Sequence, residues 1–295
     1  MALSHDALWP RAGDWPALDA FAGDIDLALI GVPAWRTSLS PTGAHATPAA
    51  VREALRRYSP ALMNGPVDLG ALRIADAGDV GEPDGPDGEA AVRVLAGAAA
   101  GRARLLVALG GDNSATYAVA QGVGARGLIT LDAHFDLRDG ISNGSPVRRL
   151  IEDGLDPRRI VQVGIADFAN SAAYARRAAE YGITVIALDE VRARSIAEVM
   201  AQALEVAGAG GGGIHLDIDV DVCDRSVAPG CPASVPGGLA AWELRGLVRA
   251  AAHDGRLASA DIVEVDATAD AADQRTVRLA ALCVLELLAG LGTRT

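Results

Sequence analysis

The chain has 295 residues, half of them hydrophobic, and its 26 basic and 38 acidic side chains leave a formal net charge of −12. That length buries the core of one large domain spanning residues 1–295. The charge repels phosphate backbones and anionic lipid surfaces, which speaks against nucleic-acid and membrane partners and for a small molecule. Cys223, Cys231 and Cys283 form neither a CxxC pair nor a disulfide framework, as expected in a reducing compartment such as the cytoplasm. Asp6, Pro10, Arg11 and Asp14 interrupt the N-terminal stretch, so it lacks a secretory apolar region. No apolar run reaches the roughly 18 residues of a membrane span.

In chain order, short runs rich in Val, Ile and Leu predict strands at 25–30, 72–75, 105–109, 128–131, 160–163, 183–188, 214–218 and 262–265. Each is apolar on both faces and bounded by Gly, Asp or Asn, which suits a buried parallel sheet. Helical spacing falls between them, at 49–58, 89–100, 114–121, 171–181, 196–206, 241–252 and 276–288. Thr47-Pro48 predicts a capping hydroxyl ahead of a helix-starting proline. Gly78 to Gly88 (GDVGEPDGPDG) is expected to be an acidic loop, and Gly208 to Gly213 (GAGGGG) a flexible connection. The alternation implies an α/β class with a mainly parallel sheet and helices on both faces.

In such a sheet the chemistry gathers past the carboxyl ends of the strands. Three junctions are polar: Gly110-Gly111-Asp112-Asn113-Ser114, Asp132-Ala133-His134-Phe135-Asp136, and the segment from Asp217 through Asp219 and Asp221 to Asp224. In an extended segment, alternate residues share a direction, so Asp132, His134 and Asp136 form one set and Asp217, Asp219 and Asp221 another. A lone DxD is most simply a capped turn. Carboxylates this dense, leaving apolar strands, repel one another unless cations lie between them, and hard oxygens with one imidazole suit a pair of divalent ions such as Mn²⁺.

These segments resemble the ureohydrolase (arginase, agmatinase, formimidoylglutamase) family, whose GGDHS-like, DAHxD and SxDxDxxDP segments occur in the same order. The likeness runs from Gly31-Val32-Pro33 to Ile262-Val263-Glu264-Val265-Asp266. It implies a three-layer α/β/α arginase-like fold, assembled as a trimer or hexamer, around two Mn²⁺. By resemblance Asp132 and Asp219 are the bridging carboxylates, His134 and Asp221 ligands of one ion and Asp136 a ligand of the other, with Asp224 in support. Asp217 stands where the family has serine and falls outside the ligand set. Glu264 matches the glutamate facing the reacting carbon group.

Two positions depart from the family pattern. Asn113 replaces a histidine ligand, so the metal beside it is expected to bind weakly. Asn143 replaces a histidine that shuttles protons, and an amide cannot do acid–base work near neutral pH. Together with HFDLR, SNGSPVRRL, APGCP and IVEVD, both asparagines resemble the formimidoylglutamases of some bacteria. That likeness implies hydrolysis of N-formimidoyl-L-glutamate to glutamate and formamide by metal-activated water, as in histidine degradation. Asp136 would then handle the proton and Glu264 would stabilise the amidine group.

Holding two substrate carboxylates calls for basic groups. Arg148 and Arg149 are the expected pair, with Arg138 and Arg225 behind them, and Asn143, Ser145 and Asp167 complete the expected substrate contacts. The alternatives are a guanidino-compound hydrolase of the agmatinase or guanidinobutyrase kind, releasing urea, and a non-catalytic member of the family. His5, His45, His215 and His253 have no ligand-like neighbours, and Cys231 reads as a small turn residue.

Overall fold

The computed structural model describes residues 6–64 and 67–294. Its main sheet has eight strands in the order β4 (Ile74–Asp79), β1 (Ile25–Val32), β5 (Ala103–Gly110), β10 (Leu257–Val263), β9 (Ile214–Asp219), β6 (Gly127–Leu131), β7 (Ile160–Ile165) and β8 (Thr184–Ala187). Every neighbouring pair in it is parallel. A two-stranded antiparallel hairpin, β2 (Ala61–Leu62) and β3 (Val67–Asp68), lies outside this sheet.

Successive side chains of a strand feed opposite cores. In β1, Leu27 and Leu29 enter one core while Ala28 and Ile30 enter the other. The first core is covered by α1 (Thr47–Leu55), α6 (Leu188–Ala193), α7 (Ile196–Ala207), α8 (Ala241–His253) and α9 (Arg275–Gly292). The second is covered by α2 (Gly85–Ala100), α3 (Ser114–Gly122), α4 (Pro146–Glu152) and α5 (Ala172–Tyr181). The arrangement is a three-layer α/β/α sandwich. No helix among the described residues is long and apolar enough to cross a membrane.

Several boundaries differ from expectation. The last strand starts at Leu257 and ends at Val263, because Ser259 and Asp261 are polar residues buried within it and break the apolar run. The acidic 78–88 stretch is not all loop: Asp79 ends β4, and α2 begins at Gly85 with Pro86 in its first turn. Thr47 is the first residue of α1 rather than its cap, and its buried hydroxyl donates to the Val265 carbonyl. α4 and α6, with seven and six residues, are too short to display a helical period. The glycine run before β9 is a defined turn, with φ of 76°, 80° and 85° at Gly210, Gly211 and Gly212, a region that L side chains rarely adopt.

Candidate active site

β5, β10, β9 and β6 are consecutive in the sheet, so their carboxyl ends form a continuous rim. Asn113 follows β5, Glu264 follows β10, Asp219 closes β9, and Asp132 follows β6. Simple alternation does not bring these groups together. β6 ends at Leu131, and Asp136 and Glu264 have φ of 51° and 60°, left-handed values that cost a non-glycine residue roughly 1–3 kcal/mol. Asp221 lies in a short 3₁₀ turn, Val220–Val222, capped by Asp219 Oδ1, which accepts the Asp221 backbone N–H at 2.8 Å. The turn, not the pleat, directs Asp221 toward His134.

Asp132, His134 and Asp221 each place one ligand atom within 4.8 Å of the other two. His134 Nδ1 is 2.7 Å from Asp221 Oδ2 and 3.6 Å from Asp132 Oδ1. Backbone donors fix both carboxylates: His134 N–H to Asp132 Oδ1 at 2.6 Å, and Ala133 N–H to Asp221 Oδ1 at 3.0 Å. Asp132 Oδ2 is buried with no hydrogen-bond partner among the described residues. Burial and then Asp221 push Asp132 up to about 6. Burial, then neighbouring carboxylates, push Asp136 and Asp219 well above the usual carboxylate range. Burial opposes charge on His134, but Asp221 and Asp132 outweigh it and raise the imidazole to about 12. Burial likewise opposes charge on Asp221, and His134 overcomes it to lower that carboxyl. Without a metal the cluster holds protons that a divalent cation would replace, and its buried oxygens and single imidazole fit such an ion.

Asn113 is oriented differently from expectation. Its Nδ2 donates to Asp136 Oδ2 at 2.5 Å, and its Oδ1 accepts from the Thr116 hydroxyl at 2.7 Å. An amide nitrogen cannot ligate a cation, so Asn113 braces Asp136 instead of serving as a ligand. Its backbone N–H donates to Glu264 Oε1 at 2.8 Å, and the Asn143 amide donates to the same oxygen at 2.8 Å. Oε2 accepts no hydrogen bond among the described residues and is left for the cleft. Burial, then the Asp112 charge, raise Glu264 to about 8 against the opposing pull of these two donors.

The cleft above these groups holds about 350 Å³ and is lined by His134, Asp136, Asn143, Asp219, Asp221 and Glu264 among others. Its one arginine is Arg138, whose guanidinium makes no ion pair among the described residues. Arg148 and Arg149, expected to hold substrate, face elsewhere. Arg148 donates to the carbonyls of Arg138 and Gly140 and pairs with Glu152, so it supports the loop that carries Arg138. Arg149 forms a bidentate pair with Glu89 at 2.7 and 2.8 Å and stacks on Tyr117 at 3.5 Å. Both lie on α4, which turns them away from the cleft. Ser145 is buried and closes a turn with Ser142, and Asp167 lines a separate cavity beside Arg192. Asn170, absent from the expected set, lines the cleft and clamps the 133–135 loop, accepting the Phe135 N–H at 3.1 Å and donating to the Ala133 carbonyl at 2.8 Å. A loop asparagine carries no sequence signal for that role.

Other expected residues have structural partners. Asp224 accepts from Ser226 and from the Gly237 N–H, so it caps its own loop and does not support the metal cluster. Arg225 donates to the Cys231 carbonyl and to Ser234, holding the APGCP turn. Cys231 is buried in that turn, and burial pushes its thiol well above the usual range. Asp217 sits directly across from Asp261, and burial, then Asp261, hold it well above the carboxylate range. Asp261 also meets the buried His215, which in turn meets Ser259 at 2.8 Å. His45 packs at a tilt against Trp35 and His253 meets Thr293, while His5 lies outside the described residues.

Comparison with known proteins agrees with this geometry. The sequence profile of the arginase family matches residues 25–290. Formimidoylglutamase of Halalkalibacterium halodurans is 34% identical, with 89% of this chain and 86% of that protein covered. The crystal structure of formimidoylglutamase from Bacillus subtilis superposes with a TM-score of 0.90 at 31% identity, covering 99% of this chain and 95% of that one. A Trypanosoma cruzi formiminoglutamase solved with Mn²⁺ gives a TM-score of 0.84 at 25% identity, over 92% and 95% of the two chains. A rim of donors past β5, β10, β9 and β6, and a match along nearly the whole chain, place this protein in the arginase family.

Proposed function

We propose that this protein hydrolyses N-formimidoyl-L-glutamate to L-glutamate and formamide in its 350 Å³ cleft. The observation that carries the reading is the juxtaposition in one cleft of an unpaired arginine, Arg138, with a carboxyl, Glu264, held at one oxygen by two donors. The first offers a forked partner for a substrate carboxylate and the second a partner for an amidine N–H. Formimidoylglutamase relatives that align over most of the chain support the same substrate. A guanidino compound with a cationic tail, such as agmatine, would meet the Arg138 charge, which disfavours the agmatinase-like form of the urea-releasing alternative.

Asp132, His134 and Asp221 would hold one Mn²⁺, with Asp136 and Asp219 as further donors for a second. When bound, the ions would supply Lewis acidity toward water and the amidine carbon. The remaining work falls to this chain's own side chains. Asp136, kept in place by the Asn113 amide, accepts a proton from the attacking water and passes it to the departing amine. Glu264 orients the formimidoyl group through its free Oε2 and stabilises the amidinium that develops. Arg138 anchors the glutamate end, on a loop that Arg148 holds by its carbonyls. Asn143 does no proton transfer and serves to fix Glu264.

The chain is further proposed to act as one domain over residues 1–295, in a trimer or hexamer in the cytoplasm, the last supported by three buried free cysteines. The test of function is product release from formimidoylglutamate, arginine, agmatine and guanidinobutyrate after Mn²⁺ loading, with an EDTA control. Glutamate and formamide from the first alone, lost with EDTA, is the expected result. Urea from a guanidino compound would overturn the substrate, and silence on all four with metal bound would overturn catalysis.

A further inference from the structure

A cavity of about 710 Å³ lies at the opposite end of the sheet from the cleft. Its walls come from the segments that lead into β6, β7 and β9, where Arg126, Arg158, Arg159 and Gly210 sit, and from the far ends of α3 and α4. Three arginines meet two carboxylates there, Asp153 and Asp156, so the cavity is locally cationic within a chain of net charge −12. The carboxylates are already engaged: Asp153 accepts from Tyr117 and Gln121, and Asp156 pairs with Arg158 at 2.9 Å. Among the described residues Arg159 is bound only to the carbonyls of Ala207 and Gly211, which leave its charge uncompensated. The Arg126 guanidinium makes no hydrogen bond or ion pair among the described residues.

Helix C-termini favour cations, and the ends of α3 and α4 account for one positive charge nearby. They do not account for three arginines around an open volume of this size. We propose that the cavity is an effector site for a small molecule bearing a phosphate or carboxylate group, gripped by Arg126 and by the Nη1–Nη2 edge of Arg158, whose Nε–Nη2 edge is taken by Asp156. α3 begins one residue after Asn113 and its end at Ala120 and Gln121 lines the cavity. α4 begins three residues after Asn143 and ends beside Asp153. An anion bound there braces the far ends of the two helices whose near ends follow the site's asparagines, and so alters substrate affinity in the cleft.

The binding arm is calorimetric titration of the Mn²⁺-loaded protein with inorganic phosphate and, separately, with succinate. One saturable site per chain is expected, weakened about tenfold or more in both Arg126→Ser and Arg158→Ser, whose exposed side chains are not needed for folding, and retained in Arg138→Ser. Heat from phosphate alone or from succinate alone supports the site and identifies the group it takes. No saturable binding of either probe, or binding unchanged in Arg126→Ser, overturns the proposal, as does binding lost only in Arg138→Ser, which would place the anion in the cleft. The kinetic arm rests on the hydrolase reading: KM for formimidoylglutamate shifts on saturation with the anion, and Arg126→Ser removes the shift. Binding with unchanged kinetics in an active enzyme overturns the effector role. An inactive enzyme that still binds the anion counts against the hydrolase reading alone.

Discussion

The Asn143 amide nitrogen lies 2.8 Å from Oε1 of Glu264, a residue 121 positions away, on the oxygen that also accepts the Asn113 backbone N–H. The two positions that depart from the family's histidines are therefore joined through a single carboxyl. Removing the amide in Asn143→Ala leaves that carboxyl with one donor in a buried setting. A hydrogen bond to a charged group contributes roughly 1.5–3 kcal/mol, so kcat/KM should fall about 10- to 100-fold. Because the lost donor had been lowering Glu264, the rate profile should also move to higher pH. Steady-state kinetics from pH 6 to 10 measure both, and a wild-type profile would remove Glu264 from the rate-controlling groups.

Substrate anchoring separates three arginines that are close in sequence. Arg138→Ser should raise KM for formimidoylglutamate by roughly tenfold or more with a smaller change in kcat, the mark of uniform binding. Arg148→Ala should act in the same direction but more weakly, through the loop it supports. Arg149→Ala should leave KM unchanged and lower thermal stability, because it breaks a half-buried pair with Glu89 and a stack on Tyr117. Equal KM effects for Arg138 and Arg149 would contradict this division.

Metal uptake should release protons. Burial and the neighbouring carboxylates hold Asp132 up near 6 and push Asp136 and Asp219 well above the usual carboxylate range, while His134 is raised to about 12, so the metal-free cluster carries protons, that of His134 through neutral pH, that an ion must displace. Apparent Mn²⁺ affinity is expected to rise with pH, and titration in a weak buffer to acidify it. Asp132→Ala and Asp221→Ala should each cut bound metal, as read by elemental analysis. Full metal content in both would exclude this cluster as the metal site.

The same protons set the stability of the metal-free protein. Glu264 titrates near 4.5 when unfolded and is raised to about 8 when folded, so between those values the folded state binds more protons. Its contribution is complete below about 4.5 and is lost as pH rises through 8, and the raised Asp132 and His134 carry the same sign. EDTA-treated protein should therefore lose Tm from pH 5 to 8, and Mn²⁺ should flatten that loss. A metal-free Tm that climbs over this range would contradict the raised pKa of Glu264.

Close approach at the rim makes one backbone position irreplaceable. A Cβ at Gly111 would lie 1.8 Å from the Ala34 carbonyl oxygen, and the Gly111 carbonyl accepts the Glu264 N–H at 2.9 Å. Gly111→Ala must shift backbone and is expected to cost at least about 1–3 kcal/mol, read as a lower Tm together with reduced activity.

The sequence by itself determined the α/β class, the parallel sheet and the donor chemistry. Strands buried on both faces must be apolar throughout, and only a metal or held protons can accommodate so many carboxylates at three strand ends. It also carried the family, through DAHFD, DIDVD and IVEVD. The tertiary structure alone decided which strands end side by side, because the order β5-β10-β9-β6 depends on crossovers that leave no trace in local spacing. It decided that left-handed turns at Asp136 and Glu264, rather than the alternation of a pleat, complete the site. It assigned the cleft to Arg138, since Arg148 and Arg149 sit on a short helix whose orientation is set by packing against α3. It turned Asn113 from a ligand into a brace, because a side-chain amide takes the direction of its strongest acceptor, and that acceptor, Asp136, lies 23 residues away in the chain.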